Sequence, residues 1–135
     1  MKTRLLSALC AACLVAPLHA EKHTPLGEQM EQFNDAYKAL RKVEDPQKAA
    51  ALTREAQQAV AKSLGEMPDL VTKMPDGPDK AKAAAEYRLM MGKVYVTLCE
   101  VESAYLAGDM DKASELLRGL RSAKKEGHDK FMEDE

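Results

Sequence analysis

The chain has 135 residues, with 20 basic against 22 acidic side chains and a formal charge of −2. That length suits one domain and not two comfortable ones. The mild acidity argues against nucleic acid or an anionic membrane surface as partner.

The first twenty residues read as a leader rather than as part of the fold. Met1-Lys2-Thr3-Arg4 is a short basic start, Leu5 to Leu18 is mostly apolar and small, and Leu18-His19-Ala20 offers a cleavage site after Ala20. The apolar run is too short and too weakly hydrophobic to span a bilayer. Residues 1–20 are therefore expected to be a signal peptide, residues 21–135 a single exported domain, and a bacterial periplasm the destination. Cys13 after Ala11-Ala12 faintly resembles a lipoprotein cleavage site. Cys10 stands where that site prefers leucine, and apolar sequence continues to Leu18, so a lipid anchor is not expected. Loss of the leader removes Cys10 and Cys13 and leaves only Cys99, which excludes an internal disulfide. Loss of Lys2 and Arg4 leaves 18 basic against 22 acidic residues, a charge of −4.

The rest of the chain is rich in helix formers and holds almost no β signal. Thr24-Pro25 starts a first helix, a cap residue with proline at the first helical position. Leu26, Met30, Phe33, Tyr37 and Leu40 line one side of it, and it should stop near Val43. Asp45-Pro46 repeats the start signal for a second helix that presents Ala49, Leu52, Ala56, Val60 and Leu64. Residues 65–78, GEMPDLVTKMPDGP, hold three prolines and two glycines; no helix is expected there, although Leu70 and Val71 have the character to tuck against the bundle. A third helix runs from about Asp79 to Ala107, with Tyr87, Met90, Met91, Val94, Leu98, Val101 and Tyr105 along one side. Gly108-Asp109 is a C-cap glycine followed by an N-cap aspartate. The fourth helix carries Met110, Ala113, Leu117, Leu120, Gly127, His128 and Phe131. Short links within each pair make two helical hairpins. Together they give an all-α, antiparallel up-down-up-down four-helix bundle.

That topology places the start of the first helix beside the end of the fourth. Met30 lies roughly 8 Å up its helix from Pro25, and His128 roughly 6 Å from the fraying end of its own. The two share a level at one end of the bundle, each on an apolar face. A thioether facing an imidazole is a known axial pair for haem iron, one that leaves no open position for oxygen. The plainer explanations are also open. A histidine in a last helical turn interacts with the helix dipole, and a methionine at helical spacing is core filler. On the positions alone, the plainer explanations come first.

The segments taken together resemble the cytochrome b562 family of periplasmic haem proteins, over about Leu26 to Phe131. LGEQMEQFND, residues 26–35, resembles the start of that family's first helix, with Met30 at the position of its axial methionine. The Pro/Asp/Gly-rich link ending at Pro78 resembles its long loop, and Tyr87-Arg88 resembles a Phe-Arg pair whose aromatic lines the haem pocket. From Gly108 the register runs without a gap to His128, at the position of the axial histidine. The resemblance implies Met30 and His128 as iron ligands and Phe33, Tyr37, Tyr87, Met91 and Val94 as pocket walls. It also implies one non-covalent haem b and electron transfer. Two departures stand out. Gly127 occupies a place where the family often has an aromatic residue, and it weakens the helix by about 1 kcal/mol relative to alanine. The chain ends in Phe131-Met132-Glu133-Asp134-Glu135, where the family's best-known member has a basic tail, which leaves Lys124 or Lys130 to pair with a haem propionate.

Other residues compete weakly. There is no Cys-x-x-Cys-His for covalent haem, no Ser/His/Asp group, no Glu-x-x-His pair and no glycine-rich phosphate loop. His23 falls before the helices, and Cys99 has no basic cluster to activate it. Met67 and Met74 in the long link are soft donors of the kind that attract Cu(I). The expectation is a monomeric electron carrier, not an enzyme, with unknown redox partners. The rivals are a haem-free periplasmic interaction or stress protein and a copper-binding module built on the two link methionines.

Overall fold

The helix starts follow from local capping chemistry. In the computed structural model, which describes residues 24–132, the Thr24 hydroxyl accepts the Gly27 amide at 3.0 Å and Asp45 accepts the Lys48 amide at 2.9 Å. Each cap precedes a proline, whose missing N–H would be unsatisfied at a helix start anyway. These caps open α1 (Pro25–Leu40) and α2 (Pro46–Ser63). α1 ends about three residues before Val43, where the sequence pattern had placed its stop. The expected leader with Cys10 and Cys13, as well as His23 and the acidic residues 133–135, lie outside the described residues.

The long link holds a feature that the proline and glycine content argued against. Residues Asp69–Thr72 form one helical turn, α3. It starts directly after Pro68, whose fixed φ suits the entry to a turn, so the proline begins a helix here rather than forbidding one. Val71 on this turn is 2% exposed, and α3 rests on the ends of the two helices that follow. Those are α4 (Pro78–Leu106) and α5 (Met110–Phe131).

The α4–α5 corner is fixed by three residues. Gly108 takes φ +74°, where a Cβ would be strained. Its amide bonds to the Tyr105 carbonyl at 3.0 Å, and the Asp109 amide bonds to the Ala104 carbonyl at 2.9 Å. That pair is a Schellman motif. Asp109 then caps α5 by accepting the Lys112 amide at 3.0 Å. The short α1–α2 and α4–α5 links force antiparallel neighbours, and the result is an up-down-up-down four-helix bundle with α3 as a small plug.

The core is built unevenly. Val60, Leu98, Val101 and Leu120 are its fully buried large side chains. α2, however, turns a stripe of small residues inward: Ala49, Ala50, Thr53, Ala56, Ala59 and Ser63. Leu52 and Leu64, read from the sequence as inward, are only half-buried. The buried Thr53 and Ser63 hydroxyls bond back to the Ala49 and Ala59 carbonyls at 2.8 and 2.9 Å, which satisfies them without a partner from another helix. Small side chains let α2 lie close to both α1 and α4. In contrast, the backbones of α1 and α5 hardly meet. One side of the bundle is therefore a loose seam.

Candidate functional site

The seam between α1 and α5 opens into an apolar cleft of about 280 Å³ near the end of the bundle that holds α3. α1 lines it with Leu26, Met30, Phe33 and Asn34, at the three- and four-residue spacing of one helix face. α4 contributes Tyr87, Met90, Met91 and Val94, and α5 contributes Leu120, Ala123, Lys124, Gly127, His128 and Phe131. Pro68, the residue that starts α3, closes part of the rim. Three separate helices thus aim apolar stripes at one space.

The inner wall is held firmly. Tyr87 is 3% exposed, and its hydroxyl donates to the Ser63 carbonyl at 2.9 Å. Burial, with a smaller contribution from the Glu66 charge, pushes its phenol up to about 12, so it stays a donor at any ordinary pH. The Phe131 ring meets Tyr87 edge to face, with centroids 5.5 Å apart, a favoured aromatic arrangement. At the outer edge the Lys130 ammonium donates to Glu86 at 2.9 Å and lies 5.7 Å from the centre of the Phe131 ring. That hydrogen bond, and then the Lys130 charge, hold the Glu86 carboxyl below the usual carboxylate range.

Of the residues singled out from the sequence, Met30, Phe33, Tyr87, Met91, Val94 and His128 all line this cleft. Met30 is half-buried on α1, while His128 is exposed on the opposite rim. Neither ring nitrogen of His128 has a hydrogen-bond or ion-pair partner among the described residues. The apolar stripe of α5 passes through the buried Gly127 and Phe131, with His128 at its solvent edge. Tyr37 is the exception. Its ring sits beside Phe33, centroids 6.3 Å apart, and its hydroxyl donates to the Leu117 carbonyl at 3.2 Å. It braces the α1–α5 seam one turn further along and does not line the cleft.

Sequence reasoning missed Asn34, Met90 and the role of Gly127. Met90 had been placed on the correct face of α4, but a helical stripe does not say which of its members reach a cavity. Asn34 carries a buried Oδ1 without a hydrogen-bond partner, and its polar character hid it from an apolar pattern. Of the two link methionines, Met67 packs against the core. Cys99 is a free, half-buried thiol. No cluster of three His, Cys, Asp or Glu side chains exists among the described residues. None of their helices is long and apolar enough to cross a membrane.

The residues present suit a haem. A thioether and an imidazole open onto one apolar space from two different helices. The volume falls just under the roughly 300–1,000 Å³ common for ligand sites, so the seam must widen or a side chain must shift to admit a macrocycle. Fold and cleft together define a helical bundle with a seam site carrying soft and imidazole donors. The family model described as cytochrome b562 matches residues 25–132, and the chain belongs to that family, one of haem-binding, electron-carrying bundles that are in general periplasmic. Comparison with curated proteins gives no match.

Proposed function

We propose that the protein is a periplasmic electron carrier that holds one non-covalent haem b in the α1–α5 seam, with Met30 and His128 as axial ligands. One observation carries this reading: both side chains line the same apolar cleft, across the side of the bundle where the helix backbones hardly meet. A bound haem would supply a one-electron couple, and a methionine paired with a histidine would raise its potential relative to two histidines while leaving no site for oxygen.

The chain's own residues have separate tasks. Met30 is a soft, half-buried donor set among Leu26 and Phe33 on the α1 side of the cleft. His128 is a nitrogen donor at the rim, where its ring is free to reach a ligand. Phe33, Tyr87, Met91 and Val94 provide the apolar walls, and the Tyr87–Ser63 bond keeps one of those walls in place. If Met30 and His128 both held the iron, no position would be left there for a substrate. The protein acts as a carrier, not as an enzyme, and works as a monomer with protein redox partners.

The test is a haemin titration of the protein lacking its leader, followed by the spectrum of the reduced form. Sharp low-spin bands are expected in the wild type, and they should be lost in both Met30→Ala and His128→Ala. A spectrum of free haemin at every protein concentration would mean a haem-free bundle. Low-spin bands that persist in either variant would reassign that ligand.

A further inference from the structure

Gly127 is buried on α5, directly before His128, and a Cβ at this position would lie 2.7 Å from the terminal methyl and 2.9 Å from the sulfur of Met90. Real Cβ atoms do not come that close. The tip of Met90 therefore occupies space at Gly127 that any other residue would fill with its own side chain. Both residues line the cleft. The Tyr87–Phe131 ring pair, three to four residues away, holds α4 and α5 together beside this contact.

We propose that Met90 and Gly127 form one unit that sets which ligands the cleft accepts: the missing side chain at 127 is a seat for the Met90 thioether, and it keeps that thioether out of the space beside His128. This inference rests on the haem reading above. A methionine side chain has three rotatable bonds and follows whatever gap is open to it. With Gly127, the open gap is the seat on α5. With a Cβ in that seat, the sulfur and methyl must go elsewhere, and an apolar tip prefers the apolar cleft to water. The cleft is already small, so a flat macrocycle and a displaced Met90 tip compete for the same volume. Gly127 and Met90 are thus specificity-determining as a pair. Alone, neither change describes the site.

The test is a cycle of Gly127→Ala, Met90→Ala and the double variant, with two readouts. In the haem-free protein, a nuclear Overhauser contact between the Met90 ε-methyl and the Gly127 α-protons should be present. Its absence overturns the seating whatever haem does. In haemin titrations, Gly127→Ala should weaken binding about tenfold or more in the wild-type background and less than threefold in the Met90→Ala background. Equal loss in both backgrounds, or no loss in either, overturns the proposal. Circular dichroism melts of the haem-free variants separate a folding defect from a binding defect; Gly127→Ala should melt no lower than wild type, because alanine favours the helix. If wild type itself takes up no haemin, the haem reading falls and the ligand role of the pair falls with it, while the methyl contact still reports on the seat.

Discussion

The Tyr87 hydroxyl donates to the Ser63 carbonyl at 2.9 Å and so ties the inner wall of the cleft to the last turn of α2. The same carbonyl accepts the Glu66 amide at 3.1 Å, which makes this one atom the meeting point of α2, the link and α4. Tyr87→Phe would keep the ring and its edge contact with Phe131 but remove the tie. A buried hydrogen bond of this kind contributes about 1 kcal/mol net, and the carbonyl keeps its other donor. Urea unfolding at pH 7 should show a loss of about that size. A loss no larger than the error of the fit would mean that the bond is not formed in solution.

The same phenol makes stability fall in alkali. Its folded pKa, about 12, lies above the ordinary value of 10.0, so the folded state holds the proton longer than the unfolded chain does. The stabilisation is complete below pH 10 and is lost as pH rises from 10 to 12. Two pKa units correspond to about 3 kcal/mol. Tyr105, raised by burial alone, acts in the same direction. Unfolding free energy measured at pH 9 and pH 11.5 should therefore drop in the wild type and drop less in Tyr87→Phe. An identical drop in both would place the alkaline sensitivity elsewhere.

At the acid end the Glu86–Lys130 pair governs the outer rim. Glu86 is held below the usual range by Lys130, so its contribution is present above the unfolded carboxylate pKa and disappears as pH falls through the folded one. Both side chains are solvent-exposed in large part, and the effect is local rather than global. The protection factors of amides in the last two turns of α5, taken relative to the intrinsic exchange rate at each pH, should fall on going from pH 6 to pH 3 more than those of α2. Glu86→Gln should already show the lower protection at pH 6. An equal change in α5 and α2 between the two pH values would count against a role for the pair.

The particular residues explain how far the sequence could be read. The helix ends were legible because Thr24, Asp45 and Asp109 cap by bonds within three residues, and such local chemistry does not depend on the rest of the fold. α3 was not legible, since a single turn is held by Val71 against distant helices and has no periodicity of its own. On α2, Leu52 and Leu64 pack against the core but only at its edge, because the innermost stripe is chosen by how closely α1 and α4 approach, and small residues win there. In the cleft, six of the seven singled-out residues share one space. Tyr37 departs because the seam closes one turn beyond Phe33, with the Tyr37 hydroxyl on Leu117. Gly127 stood out as a missing side chain; only the position of Met90, 37 residues earlier, shows what uses the gap.

The two lysines near the end of α5 have different surroundings, and that difference predicts which one meets a haem carboxylate. Lys124 lines the cleft, whereas Lys130 is already bound to Glu86 at 2.9 Å on the outer edge. An exposed ion pair contributes roughly 0.2–1 kcal/mol, and the upper end of that range is about fivefold in affinity. Lys124→Gln should therefore weaken haemin binding by up to about fivefold at low salt, and the gap to wild type should narrow at high salt as the charge is screened. Lys130→Gln should leave haemin affinity close to wild type, while it raises the Glu86 pKa. Should Lys130→Gln cost more affinity than Lys124→Gln, the propionate partner would be Lys130, and the Glu86 pair would have to open when haem binds.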